Sequence, residues 1–318
     1  MSAVEDASGA VAAAGARRRP FPLIPRRRQT GLPFGELASR RRGRGSEVIG
    51  HRPYEHGDPV ASIDWPASAR LSATSGADAF VVRDHAADEA PRVALVVDHS
   101  PAMGLYPEPL PWLSKRTALR EAAAAIVASA SVARADIAAL DFADGRAWWL
   151  PPGRRDRRWL IAQRQSAVGF DGPQDSVARA LTFLERRRRQ LPSGSFVFVL
   201  SDLLTPPPPA HWRRAVSYGW DMVAVVIQDP VWERSFPAVG GVAVPVSDPR
   251  SGAVALIRVS RRQAGRLRDT NERRHAGLRA QLAALGVDVV AIASSDARDI
   301  DSAFIQWSQE RSRGQRAR

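Results

Sequence analysis

The chain has 318 residues, 44% of them hydrophobic and 25% charged, with no cysteine. A chain this long buries about three quarters of its unfolded surface, and the lack of thiols excludes disulfides, thiolate metal sites and cysteine nucleophiles. Lysine plus arginine outnumber aspartate plus glutamate by 46 to 33, and the resulting charge of +13 is carried by arginine, because Lys115 is the only lysine.

Residues 1–44 read as a disordered leader rich in Ala, Gly and Pro, with arginine clusters at 17–19, 26–28 and 40–42. Glu5 and Asp6 precede its arginines, the reverse of the order in a secretory signal. No stretch reaches the roughly 18 consecutive apolar residues of a membrane helix, so a cytoplasmic protein without a transmembrane segment is expected. Arg311, Arg313, Arg316 and Arg318 form a matching basic end, with 312–318 as a tail. Such arms either solubilise the chain or neutralise phosphates, an acidic partner or an anionic surface.

From about residue 92 strands and helices alternate. Val93 to Val97 is an unbroken apolar run rich in β-branched residues, as expected of a strand buried on both faces, and it ends on Asp98 and Ser100. Leu119, Ala122, Ile126 and Ala130 recur at helical spacing, and Ile137 to Phe142 is the next strand. Asp144-Gly145 before Ala147 to Leu150 signals a hairpin and an antiparallel edge strand. A helix starts near Asp175, carries Val177, Leu181 and Leu184, and closes on four arginines at 186–189. Phe196 to Leu200 repeats the first strand's pattern and ends on Ser201-Asp202. A helix near 210–218, the strand Met222 to Ile227, an inserted hairpin near 240–260, and a long helix ending at Gly286 follow. Val287 to Ala293 is the last strand, and Ile300, Phe304 and Trp307 mark the inner face of the last helix.

This order specifies an α/β fold, a doubly wound, mostly parallel sheet with one antiparallel edge strand and helices on both faces. Ligands of open α/β sheets bind beyond the carboxyl ends of the strands, so Asp98 and Asp202 on adjacent strands define a candidate site. Either residue would also serve as a helix cap. The chain resembles a von Willebrand factor A-type domain, over 91–311. That family holds a divalent cation with an Asp-x-Ser-x-Ser loop, a Thr from a second loop and a later Asp. Asp98, Ser100 and Asp202 match; Ala102 replaces the second Ser, and the Thr position falls on Asp175, which is equally placed to cap its helix. The resemblance implies a metal site of Asp98, Ser100, Asp175 and Asp202 for Mg²⁺ or Mn²⁺, since the donors are all oxygens.

A second segment, Arg52-Pro53-Tyr54-Glu55-His56-Gly57-Asp58-Pro59 with Ile63-Asp64-Trp65 and Ala67-Ser68-Ala69-Arg70, resembles the signature of the bacterial family known as domain of unknown function 58. Members place it before an A-type domain and often carry Asp-Pro-x-Glu-x-x-x-Pro after the fifth strand. Asp229-Pro230-Val231-Trp232-Glu233-Arg234-Ser235-Phe236-Pro237 is close to that pattern, with one extra residue before the Glu. Residues 45–90 are then expected to form a small β-rich extension packed on the main domain. Within it Arg52, Asp58, Asp64 and Arg70 either pair with one another while Tyr54 and Trp65 pack beside them, or form a partner-docking surface.

Catalysis has little support. His99 adjoins Ser100, yet there is no Gly-x-Ser-x-Gly elbow, no His-Glu-x-x-His pair and no Walker-type phosphate loop. The resemblance implies a non-enzymatic adaptor working with a MoxR-type AAA+ ATPase on an unidentified client protein. The rival readings are a nucleic-acid-associated protein that binds through its arginine arms and a metal-dependent hydrolase.

Overall fold

In the computed structural model, residues 18–26, 48–55, 60–75, 80–85, 91–105, 113–248, 251 and 253–316 are described. Most of the expected leader (1–17 and 27–44), Asp58 of the signature and Arg318 of the tail lie outside them. The chain divides into two units, residues 27–90 and the remainder.

Eight strands and six helices of the larger unit follow the expected alternation, apart from one helix. They are β3 (Arg92–Val97), α2 (Lys115–Val132), β4 (Asp136–Asp141), β5 (Trp148–Gly153), α3 (Arg157–Ala167), α4 (Ser176–Arg186), β6 (Phe196–Ser201), α5 (Pro209–Ser217), β7 (Asp221–Ile227), the hairpin β8 (Val242–Ser247) and β9 (Val254–Val259), α6 (Arg261–Ala284), β10 (Asp288–Ile292) and α7 (Ala297–Arg316), β8 and β9 standing outside the main sheet. The main sheet runs β10-β7-β6-β3-β4-β5, with every pair parallel except β4 and β5. The unforeseen helix is α3, in which only Ile161 and Gln165 are buried. Its apolar residues are consecutive, and no helical repeat marks them.

Strand side chains alternate between two cores, as the period of two requires. Val93, Leu95, Val97, Phe198 and Leu200 face a cluster built with α2, α3 and α7, whereas Ala94, Val96, Val197 and Val199 face one built with α4, α5 and α6. Buried Ala118, Ala122, Ala125 and Ala130 give α2 a small-residue face toward the sheet. The chain crosses from one half of the sheet to the other between β3 and β6, which pair with Val97 opposite Leu200. That reversal is the topological switch point, the place where open α/β sheets bind their ligands.

Two expectations about the termini need correction. Residues 18–26 are not part of a solvated leader: Phe21 is buried, stacked on Phe304 at 4.7 Å between ring centroids, with Trp307 edge-on at 5.7 Å. Its backbone N–H donates to Ser129 Oγ at 3.0 Å, and Arg26 N–H donates to Asp221 Oδ2 at 2.7 Å. The basic end is no tail, because α7 continues through Arg316 and Arg311 is buried, gripping Asp221 with both terminal nitrogens at 2.9 and 2.6 Å and donating from Nε to Asp288.

The smaller unit has β1 (Val48–Pro53) antiparallel to β2 (Val81–His85), and between them α1 (Trp65–Ser75), so it is mixed rather than β-rich. The buried Ser68 hydroxyl ties helix to strand, donating to Asp64 O at 2.7 Å and accepting from Val81 N–H at 2.9 Å.

Candidate functional site

At the mouth of the switch point the sheet delivers Asp98 and Ser100 just beyond β3 and Ser201-Asp202 at the end of β6, all buried. The two strands that end alike do converge. Asp98 is held from three segments: Oδ1 accepts the Ser100 N–H at 2.9 Å and the Ser176 hydroxyl at 2.7 Å, and Oδ2 accepts the Ser201 hydroxyl at 2.6 Å. Burial raises the Asp98 pKa, and those donors pull it back.

Asp175, expected from the resemblance to be a ligand, is not part of this cluster. Its carboxylate is exposed and pairs with Arg179 at 2.7 Å, one turn along α4, and makes no cap bond. The side chain that reaches Asp98 is its neighbour Ser176, the first residue of the helix. Ser201 and Ser176 repeat the small hydroxylated residue type of Ser100, but one position before the expected acid and one after it.

Asp202 is engaged differently. Its Oδ1 accepts the Leu204 N–H at 3.0 Å, while Oδ2 accepts from Lys115 Nζ at 2.8 Å. Lys115, the chain's only lysine, opens α2 with its side chain at 0% exposure. Its ammonium also donates to Glu233 and, at 3.2 Å, to the carbonyl of Ala102. Glu233 ends the Asp-Pro-x-x-Glu stretch, whose turn is fixed by Asp229 Oδ1 accepting from Val231 and Trp232 N–H at 2.8 Å each. The second Glu233 oxygen accepts the Asp229 N–H at 2.8 Å. Burial raises the Glu233 pKa, and the Lys115 charge opposes the rise. From α6, Arg274 donates to Glu233 O at 2.6 Å and Asn271 to Ser235 O at 2.6 Å, fixing the loop from behind. Gln228 bridges to the other strand end, donating to Asp202 O at 2.6 Å.

His99 is buried at 1% exposure, with its ring 5.3 Å from Phe170 and Nδ1 without a hydrogen-bond partner among the described residues. Burial lowers its pKa to about 4, so at neutral pH the ring is uncharged packing. Its carbonyl accepts the Gly172 N–H at 2.9 Å, and a Cβ on Gly172 would stand 3.0 Å from that oxygen. Only glycine lets the two loops meet so closely.

The donor set does not suit the expected Mg²⁺ or Mn²⁺. Asp98 already accepts three hydrogen bonds, Asp175 points to Arg179, and an ammonium lies against Asp202. Sequence reasoning did not place Ser176, Ser201, Lys115 or Glu233 in the site, although Ser201 and Glu233 stood in patterns it had singled out and Lys115 is a lone lysine in a chain that otherwise uses arginine.

In the signature unit, Asp64 is buried and accepts from His51 Nε2 at 2.9 Å and from the Ala67 N–H at 3.1 Å, so it caps α1 as well as pairing. Arg52 donates to Pro53 O at 2.9 Å and Arg70 to Pro66 O at 3.2 Å, both on the surface. Tyr54 and Trp65 each meet Phe80 edge-on, at 6.5 and 6.0 Å.

The profile of the family described as "Protein of unknown function DUF58" matches residues 50–281. Uncharacterized proteins of Mycobacterium tuberculosis and Mycobacterium bovis are each 28% identical over 272 residues, covering 83% of this chain and 78% of their own length. Among solved structures, the conserved hypothetical protein BatB of Bacteroides thetaiotaomicron is 16% identical, with a TM-score of 0.43 over 69% of this chain and 99% of its own. An aerotolerance-related membrane protein of Bacteroides fragilis is 15% identical with the same TM-score and the same coverage. No helix among the described residues is long and apolar enough to cross a membrane.

Proposed function

This chain belongs to the DUF58 family, and from that premise we propose that it is a non-enzymatic interaction module, a von Willebrand factor A-like domain whose signature unit docks on a MoxR-type AAA+ ATPase. The observation that carries the reading is the apolar surface of that unit. Trp65 is 57% exposed and Phe80 45%, edge-on to each other, with Val60 at 64% and Leu71 at 45%. Trp and Tyr beside Arg are the residues that dominate interface energetics, and soluble chains seldom leave such side chains grouped in water. Within the unit Asp64 pairs with His51, and Trp65 keeps more than half of its surface exposed beside Phe80. The partner class comes from the family resemblance.

At the strand ends, donors already engage both carboxylates that a metal-dependent hydrolase would use to hold an activated water. The nucleic-acid reading loses Arg18 and Arg311 to internal ion pairs.

The test is equilibrium binding of the purified full chain to a MoxR-type ATPase of the same organism. Saturable binding is expected, weakened at least about tenfold by Trp65→Ala, an ordinary loss for a central aromatic. Circular dichroism should be unchanged in the variant. Absence of binding, or wild-type affinity in Trp65→Ala, would overturn the proposal.

A further inference from the structure

Four acidic side chains are buried around the switch point: Asp98, Asp202, Asp229 and Glu233. Buried carboxylates at close quarters need a compensating charge, and the low local dielectric makes that need acute. In oxygen-rich sites of this type the usual compensation is a hard divalent cation held by carboxylates, hydroxyls and backbone carbonyls. Here carboxylates and a backbone carbonyl surround an ammonium. Lys115 Nζ lies 2.8 Å from Asp202 Oδ2 and 3.2 Å from the Ala102 carbonyl, and it also meets Glu233 Oε1, while the hydroxyls of Ser176 and Ser201 turn their protons toward Asp98.

We propose that the Lys115 ammonium takes the place of a divalent cation at this strand-end site, so that the chain supplies its own cation and closes the site without metal. Three separate features converge on this arrangement. Lysine is otherwise unused in a chain with 46 basic residues. Arginine could not replace it, because a planar guanidinium is larger than a compact ammonium whose donors radiate tetrahedrally. The first loop carries no hydroxyl at Ala102 and offers its backbone carbonyl, a suitable acceptor for N–H. Glu233, which comes from the far side of β7, completes a ring that the first loop and β6 alone do not close. The inference is independent of any docking partner, since it concerns what occupies the strand ends.

A single lysine makes the test direct. In full-length protein labelled with ¹³C at lysine Cε, Lys115 gives the only side-chain signal of its type. Mn²⁺ is paramagnetic and would erase that signal from within the site. With equimolar Mn²⁺ the wild-type signal should persist, and neither Mg²⁺ nor EDTA should move the thermal midpoint. Lys115→Ala, which removes the ammonium from among the carboxylates, should melt roughly 10 °C lower and recover part of that loss in Mn²⁺. Loss of the wild-type signal at one Mn²⁺ per chain overturns the proposal. So does a folded Lys115→Ala whose midpoint responds to Mn²⁺ no more than the wild type's. Should that variant fail to fold, the wild-type spectrum alone decides.

Discussion

A buried imidazole and a buried carboxylate sit next to each other in the first loop, and they respond to acid with opposite sign. The His99 pKa falls from 6.5 to about 4 because burial disfavours its charged form. Between those values the unfolded chain binds the proton and the folded chain does not, so stability is present above 6.5 and is lost as pH falls toward 4. Asp98 is raised by burial, so the folded state binds its proton first and gains relative stability as pH falls through its raised pKa toward the ordinary carboxylate range. Comparing wild type with His99→Leu isolates the imidazole. In urea titrations at pH 7 and pH 4.5 the wild type should lose about 2 kcal/mol more than the variant over that interval. Equal losses would mean that His99 is accessible to protons in the folded state.

At this scale the sequence was only half legible. Asp98 and Asp202 stand out because each ends a run that is apolar on both faces. Ser176 does not, because Asp175 is the better cap and the better ligand on paper, and one residue of helix rotation decides which side chain turns inward. Lys115 was visible only as an oddity of composition, since a lysine in a first helical turn is ordinarily solvated.

Elements whose burial is complete were the easiest to place. Strands β3, β6 and β7 are buried almost end to end, and the hairpin at Asp144-Gly145 is fixed by two positive φ values, 60° and 69°. Gly286, at φ +77°, ends the helix before β10 for the same reason. What escaped notice is the strap at 18–26, where one phenylalanine is hidden among arginines and prolines. Charge runs read as solvated arms, and a single buried ring produces no periodicity. Its contribution is nevertheless large, because Phe21 fills a slot between Phe198, Phe304 and Trp307. Phe21→Ala should cost about 3–5 kcal/mol, and deletion of residues 1–26 at least as much. Chemical unfolding checks both. A solvated arm predicts no change in either, so unaltered midpoints would return these residues to the leader.

Across the whole molecule, charge is divided between pairs that salt cannot reach and a surplus that it can. The pairs Lys115 with Asp202, Arg311 with Asp221 and Arg164 with Asp141 are buried or nearly so, with bond lengths of 2.8, 2.6 and 2.7 Å. Screening acts on exposed charges, and its range shrinks from about 30 Å at 0.01 M to about 10 Å at 0.1 M ionic strength. The net charge of +13 therefore belongs mostly to the surface, where the arginines of α6 and of residues 186–189 repel one another. Self-repulsion of this kind destabilises the compact state. Raising NaCl from low to physiological concentration should accordingly raise the thermal midpoint by a degree or more, while any retention on duplex DNA, a phosphate effect without base reading, declines steeply over the same range. The two responses share one cause and should move together. A midpoint that falls with salt would show that exposed ion pairs, rather than the buried ones, hold the fold together.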